Sequence, residues 1–504
     1  MNYIDLFAGC GGLSLGIESA GFDLLFAVEK SPMAAETFYH NFIKNINSNE
    51  EWNQYLEKKD EEKINSKLFV GETLALLEKP ELLEKIKSRI GELDLIVGGP
   101  PCQGFSLAGK RNPKDHRNIL PWQYLEYVDI FKPKAVLMEN VLGMRQNFNK
   151  HNETSPFTQI KLYLEGSEPK YIVQELQLNA MHYGVAQHRP RVMLLAIRED
   201  IAKNKNLFAL KDIWKSEDFY DNKEISPLCP IPSIKKGQYL TVKDAINDLI
   251  DGTKSKYVEE LNNKSGFREV IKTKSNNKTI LNQNERKHSD KVTLRFRIYQ
   301  YLSKNNVSQK IFNLSSEYNE TKNKVLLKEI ETLLVNCEYP AKSPDNYLLA
   351  NNISTLLELI LELGTKKHSQ RPLKLNAPSP TVVSIPDDVI HPIYPRAMTV
   401  REQARFQSFP DYFEFRSKET TGGEKRKIEV PQYTQVGNAV PPLLAFEIAK
   451  EKGLTFSFTP NELETDIHPN TVDIHMVNNN GQEMTVRGES LGGGKVRIVR
   501  INSV

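Results

Sequence analysis

Five short apolar, β-rich runs punctuate the first 200 residues: "YIDLFA" (3–8), "LLFAVE" (24–29), "LDLIVGG" (93–99), "AVLMEN" (135–140) and "VMLLAI" (192–197). Helical patterns lie between them, at intervals suited to βαβ units. That alternation confines the chain to an α/β open sheet with helices on both faces. From about 200 to 370 the pattern gives way to Asn/Lys/Ser-rich stretches, where "TVKDAINDLI" (241–250) and "NYLLANNISTLLELILEL" (346–363) read as helices. Regular elements resume after "RPLKLNAPSPTVVS" (371–384), and "PPLLAFEIAKEK" (441–452) reads as an amphipathic helix with prolines at its start. At 504 residues the chain exceeds the usual single-domain range, so two domains are expected. No internal repeat is found.

Composition excludes several classes. A hydrophobic fraction of 39% is enough for real cores. The opening "MNYIDLFAGCGG" runs straight into a strand-like segment and has no basic region before an apolar one, so no secretory signal is expected. No apolar run approaches the roughly 18 residues that a membrane helix needs. Cys10, Cys102, Cys229 and Cys337 are scattered, without a C-x-x-C pair, so neither a zinc site nor a disulfide framework is expected. These readings point to a cytoplasmic protein without a metal. The net charge of +3 conceals an asymmetry: residues 262–311 hold 12 Lys and Arg against 3 Asp and Glu, a surplus of +9. A solvated face and a polyanion-binding surface both fit that block.

"DLFAGCGGLSLG" (5–16) reads as a strand, a glycine-rich turn and a helix. Gly9, Gly11 and Gly12 let the backbone bend and approach a ligand closely. Glu29 ends the next strand, where an acid can accept hydrogen bonds from ribose hydroxyls. A dinucleotide and S-adenosylmethionine both remain open on this evidence, whereas the absence of a P-loop lysine argues against a triphosphate. Other strand ends carry chemistry too. Cys102 follows one strand in "GGPPCQGFS" (98–106), held on a stiff double-proline shoulder. Glu139 ends another, and "QHRPR" (187–191) precedes the fifth run. Loops beyond the carboxyl ends of parallel strands form one crevice, so cofactor turn, thiol and carboxylate should converge.

Together these blocks resemble the DNA (cytosine-5) methyltransferase family. "DLFAGCGG", "GGPPCQGFS", "ENV", "QHRPR", "APSPTV", "MTVREQARFQSFPD" and "QVGNAVPP" stand in that family's order, covering roughly 1–200 and 370–452, and "LTVKDAINDL" is also similar. The resemblance implies a Rossmann-like S-adenosylmethionine-dependent methyltransferase sheet with a second, smaller target-recognition domain. The expected division is a catalytic domain over 1–199, a recognition region and small domain over 200–432, a returning helix over 433–453 and an appended tail over 454–504.

The resemblance also implies a mechanism. C5 of cytosine is too weak a nucleophile to attack a sulfonium methyl directly, whereas thiolate addition at C6 makes it reactive. Cys102 is the expected nucleophile. Glu139 is expected to hold the N3/N4 edge of the base and protonate N3. Arg189 is expected at the pyrimidine O2, with Arg191 and Gln187 in support. For the cofactor, Phe7 should flank the adenine, Gly9, Gly11, Gly12 and Leu13 should give close backbone approach, and Glu29 should bind the ribose. Asn438 and Ala439 should lie by the methionine part, with Pro100 beside them. The family usually has an aspartate where this chain has "VGETLALL", so Glu72 stands as a longer equivalent.

Such an enzyme must flip its target base out of double-stranded DNA. The resemblance places Pro101, Gln103 and Ser106 at the base and its phosphates, with Lys110, Arg111 and Arg117 on a closing loop. It also sets the basic block in the variable recognition region. Lys272, Lys274 and Lys278 are expected on phosphates, and Arg295 and Arg297 on base edges, helix or strand being undecided. A tRNA-methylating enzyme and a non-catalytic DNA-binding regulator are the rivals. A monomer, nucleoid-associated and accompanied by a restriction endonuclease encoded nearby, is the expected setting. The tail "HPNTVDIHMVNNNGQEMTVRGESLGGGKVRIVRINSV" (468–504) instead resembles a fragment of the β portion of iron–sulfur serine dehydratases, without cluster cysteines.

Overall fold

The computed structural model describes residues 1–101, 119–145, 155–221, 225–273, 280–307, 310–363 and 370–450, and the backbone of 471–477, 483–492 and 495–503. Eight strands form the main sheet: β1 (Asn2–Leu6), β2 (Asp23–Glu29), β3 (Leu68–Val70), β4 (Leu95–Gly98), β5 (Ala135–Asn140), β6 (Tyr171–Asn179), β7 (Pro190–Arg198) and β8 (Trp214–Lys215). Their order is β3-β2-β1-β4-β5-β7-β6-β8. The strands β3 to β5 in that order run parallel. The chain reverses its direction of travel across the sheet at β1, so the crevice for a ligand opens beyond the carboxyl ends of β1 and β4.

Successive strand residues feed two separate cores, as a period of two requires of a strand covered on both faces. Leu95 and Val97, Ala135 and Leu137, and Met193 and Leu195 lie in one core, whereas Ile96, Val136, Met138, Leu194 and Ala196 lie in the other. The helices α1 (Gly12–Ser19) and α2 (Pro32–Phe42) cover the first face, with the returning helix Pro442–Lys450. Helices Pro80–Ile90, Leu120–Phe131 and Pro156–Gly166 cover the second.

Two expectations change here. The run 192–197 belongs to β7, which is antiparallel to both β5 and β6. A uniformly apolar run has no readable direction, so the sequence could not show this. The consequence is favourable: the start of β7, and with it "QHRPR", lies at the carboxyl end of β5. The stretch 346–363 is not one helix. Leu348–Ala350 pairs as a strand with Ala341–Lys342, and the helix starts only at Ile353. Asn352 sets that start, its Oδ1 accepting from the Thr355 amide at 3.1 Å.

A third core belongs to the second lobe. Phe296, Tyr299, Leu302, Phe312, Ile330, Leu356 and Ile360 meet between helices Asp290–Lys304, Lys310–Thr321, Lys324–Leu334 and Ile353–Leu363. Residues between 214 and 271, including Trp214, Phe219, Ile246 and Phe267, pack instead into the first core of the main sheet. Residues between 373 and 449, among them Leu373, Phe406 and Leu444, return to that first core. Strands Thr471–Val477, Glu483–Gly492 and Lys495–Ser503 form a separate antiparallel sheet in the tail.

Helix Val400–Phe406, from "MTVREQARFQSFPD", packs into the first core with all seven residues buried. Arg405 makes this possible by pairing with Asp248 (Nη1–Oδ1 2.7 Å) and Asp411 (Nε–Oδ1 2.8 Å) and donating to the Ala245 carbonyl at 3.1 Å. Burial alone works to raise the Asp411 carboxyl pKa, but the guanidinium outweighs it and holds the group below its ordinary value. Replacing Arg405 with Met leaves two carboxylates without their cation, and breaking a buried pair costs about 3–5 kcal/mol. Urea unfolding at pH 7 should show that loss. It should shrink as pH falls, because without Arg405 burial raises the Asp411 pKa against only Arg401 and Asn262, and protonation then removes the less well-paired charge.

Candidate active site

The glycine turn leaves β1 with three consecutive constraints. Phe7 has φ of 62°, a conformation costly for an aromatic residue and found at ligand clamps. Gly9 follows at φ 58° and Gly11 at φ 96°. A Cβ at Gly9 would meet nothing within 4 Å, so that position faces open space. Gly11 and Gly12 are glycines for another reason. A Cβ at Gly11 would lie 2.3 Å from the Phe42 ring, and one at Gly12 would lie 2.3 Å from the Val440 carbonyl. Those two permit tight packing of α1 against α2 and the chain's return, and Leu13 is buried behind them.

Glu29, at the carboxyl end of β2, braces the turn. Its Oε2 accepts from the Gly9 amide at 2.8 Å and its Oε1 from the Ser31 amide at 2.7 Å. Burial lifts its carboxyl pKa above the ordinary value, against those two amides. Glu72 stands beyond β3, the next strand, where it is exposed and paired with Lys30 at 2.7 Å. Asn438 is exposed at the end of helix Gln432–Asn438, beside Ala439 and Val440, which touch Gly12. Open space in front of Gly9, a ribose-type acid one strand away and a polar amide across the turn fit S-adenosylmethionine.

On the other side of β1, β4 ends at Gly98 and leads through Gly99 and Pro100 to the exposed Pro101. Asn140, last residue of β5, donates from Nδ2 to the Pro100 carbonyl at 3.1 Å and so ties this loop to the neighbouring strand. Sequence reasoning missed Asn140, although it lies within "ENV". Its neighbour Glu139 has Oε1 2.8 Å from Arg191 Nε, both side chains being nearly buried. A Cβ at Gly99 would lie 3.1 Å from the other carboxylate oxygen, so glycine there keeps Glu139 room beside the loop. A carboxylate and a guanidinium thus stand together at the mouth of the loop that leads to residue 102. Cys102 itself, with Gln103, Ser106, Lys110, Arg111 and Arg117, lies outside the described residues.

The two arginines of the motif have different partners. Arg191, expected in support, touches Glu139. Arg189, expected at the base, is fully buried and donates to backbone: Nη2 to the Gly437 and Ala439 carbonyls, both at 2.9 Å, and Nη1 to Val382 at 3.3 Å. Gln187 is fully buried too. It donates from Nε2 to Phe406 O (3.1 Å) and Gln407 Oε1 (3.0 Å), and accepts from the Val382 amide at 2.9 Å. It staples "QHRPR" to "APSPTV" and has no exposed face for DNA.

The match over "QHRPR", "ENV" and the two loops agrees with the whole-chain comparison. The profile of C-5 cytosine-specific DNA methylases matches residues 1–453. The chain belongs to that family. It is 30% identical over 455 residues to the type II methyltransferase M.DdeI of Desulfomicrobium norvegicum, covering 89% of this chain and 88% of that protein. The type II methyltransferase M.AgeI of Thalassovita gelatinovora is 28% identical, with 89% of this chain and 98% of the relative covered. A crystal structure of an E. coli prophage-encoded chain, assigned as a DNA modification methyltransferase, shares the fold. Its TM-score is 0.53 at 24% identity, covering 90% of this chain and 98% of the other. This C-5 cytosine methylase is therefore an α/β methyltransferase that methylates DNA cytosine at C5 with S-adenosylmethionine as donor. Among the described residues no helix of the methylase is long and apolar enough to cross a membrane, and no cluster of metal-ligating side chains occurs.

The basic block divides in two. Arg286 pairs with Asp387 (2.5 Å), Lys304 with Glu338 (3.5 Å), and Arg268 lies over the Tyr412 ring. Arg297 pairs with Asp345 at 2.8 Å and stacks on Tyr347, while Arg295 donates from Nε to the Leu363 carbonyl at 3.0 Å. Both sit on helix Asp290–Lys304 and tie it to its own lobe. Lys272, Lys287 and Lys291 are exposed. Lys274 and Lys278 lie outside the described residues.

Proposed function

We propose that the methylase acts on a cytosine flipped out of a specific duplex sequence, through covalent catalysis by Cys102. The thiolate forms an S–C6 bond, and the C5=C6 electron pair moves toward C5 as Glu139 delivers a proton to N3. Arg191, at 2.8 Å from Glu139, orients that carboxyl and faces the pyrimidine O2. S-adenosylmethionine supplies an electrophilic methyl group at this point. A solvent base takes the C5 proton and returns the pair to C5=C6, the S–C6 bond breaks to regenerate the thiolate of Cys102, and N3 gives its proton back to Glu139. Phe7, Gly9, Glu29, Glu72, Pro100 and Asn438 hold the donor. The observation that carries this reading is the Glu139–Arg191 pair beside the loop that Asn140 ties down.

The methylase works as a monomer on chromosomal DNA and belongs with a restriction endonuclease of the same specificity. Methyl transfer measured in parallel on duplex DNA and on tRNA tests the substrate. Incorporation into duplex alone is expected, and incorporation into tRNA alone would overturn the proposal.

Of the basic block, we place Lys272, Lys274 and Lys278 along phosphates, because most of the described arginines are committed to their own lobe. Each phosphate contact contributes a slope of about −0.9 to log affinity against log salt. The triple Lys→Gln variant should therefore flatten the slope and bind specific and random duplexes more weakly alike. A salt titration giving identical slopes for both proteins would leave these lysines as a solvated face.

A further inference from the structure

Arg189 is fully buried, and its two terminal nitrogens donate to backbone carbonyls of distant segments. Helix Gln432–Asn438 ends in carbonyls that have no partner within the helix. The Arg189 guanidinium meets them with positive charge where the helix dipole favours it, taking the Gly437 and Ala439 carbonyls on either side of Asn438. Gln407 adds a donor to the Val436 carbonyl at 2.7 Å and to that of Ala439 at 3.4 Å. The turn is also confined sterically. A Cβ at Gly437 would lie 2.7 Å from the Ser384 nitrogen, and the Val440 carbonyl faces Gly12. Asn438 is the exposed residue of this held turn. Two residues along the same chain, Arg191 holds Glu139.

We propose that Arg189 is a positioning residue for the methyl donor: by holding the Gly437 and Ala439 carbonyls it fixes Asn438 against the glycine turn. The proposal rests on the assignment of Asn438 to the donor. One strand start thus serves both halves of the site, Arg191 setting the carboxyl at the base and Arg189 setting the amide at the cofactor.

The test is calorimetric titration of S-adenosylhomocysteine into the full chain, with thermal unfolding followed for every variant. Lysine at 189 keeps the charge but cannot reach two carbonyls as a planar fork does. Hydrogen bonds to charged groups carry enough energy that R189K should weaken binding about tenfold or more. Target-duplex affinity, measured without donor, should stay within about twofold. R191K should leave the homocysteine analogue bound normally. If Arg189 acts through Asn438, R189K added to N438A should cost little beyond N438A alone, a non-additivity that unspecific loosening does not produce. Should R189K fail to fold, Gln407→Leu replaces it, removing donors from the same turn, with weaker binding in the same direction expected. Unchanged affinity in folded R189K, or fully multiplicative losses in the double variant, would overturn the proposal. Unchanged affinity in N438A would instead remove the assignment of Asn438 on which it rests.

Discussion

Cys102→Ala should leave no covalent complex on a denaturing gel when the protein is mixed with methyl donor and a duplex carrying 5-fluorocytosine at the target. Fluorine cannot leave C5 as a proton does, so elimination is blocked after methyl transfer and the wild-type adduct accumulates. Removing the sulfur removes the bond itself, so the effect is all or none. Binding of the unmodified duplex should persist in the variant, because the contacts to phosphates do not pass through the thiol. An adduct of undiminished yield in Cys102→Ala would place the nucleophile elsewhere.

Glu139→Gln should slow single-turnover methylation by about 10²–10⁴-fold, the range that general acid catalysis contributes. The amide keeps the shape and an oxygen able to accept from Arg191 Nε, which lies 2.8 Å from the carboxylate in the wild type. What it loses is the proton for N3. Donor affinity should change little, because Glu29 ends β2 and Gly9 follows β1, whereas Glu139 stands near the end of β5, beyond β4. Near-normal turnover in Glu139→Gln would return the carboxylate to a structural role.

Much of the sheet was legible because its strands are covered on both faces and so read as apolar runs bounded by turns. Three strands escaped that reading. β3 and β8 are short, at three and two residues, and β6 interrupts its apolar pattern with Gln174, Glu175 and Gln177. Gln174 is buried all the same, and its Oε1 accepts from the Leu210 amide at 2.8 Å. Strand direction left no mark on composition, so the antiparallel β7 emerged only from the structure.

Within the site, residue type was legible but partner was not. Gly9, Gly11 and Gly12 look alike in sequence, yet only Gly9 faces open space, whereas its neighbours are small because Phe42 and Val440 press on them. Arg189 and Arg191 are two residues apart in one motif. Which of them meets the carboxylate depends on the packing of 382 and 437–439, segments roughly two hundred and two hundred and fifty residues away. The basic block shows the same limit. Its charge is plain in the sequence, but the acids and carbonyls that engage Arg286, Arg295 and Arg297 come from elsewhere in the fold.

The most direct measurement is bisulfite sequencing of DNA from cells expressing the wild-type chain, beside cells expressing Cys102→Ala. The account predicts protection of one cytosine within a single short duplex sequence in the first sample, and none in the second. Full conversion of every cytosine in the wild-type sample, or equal protection in both, would contradict it.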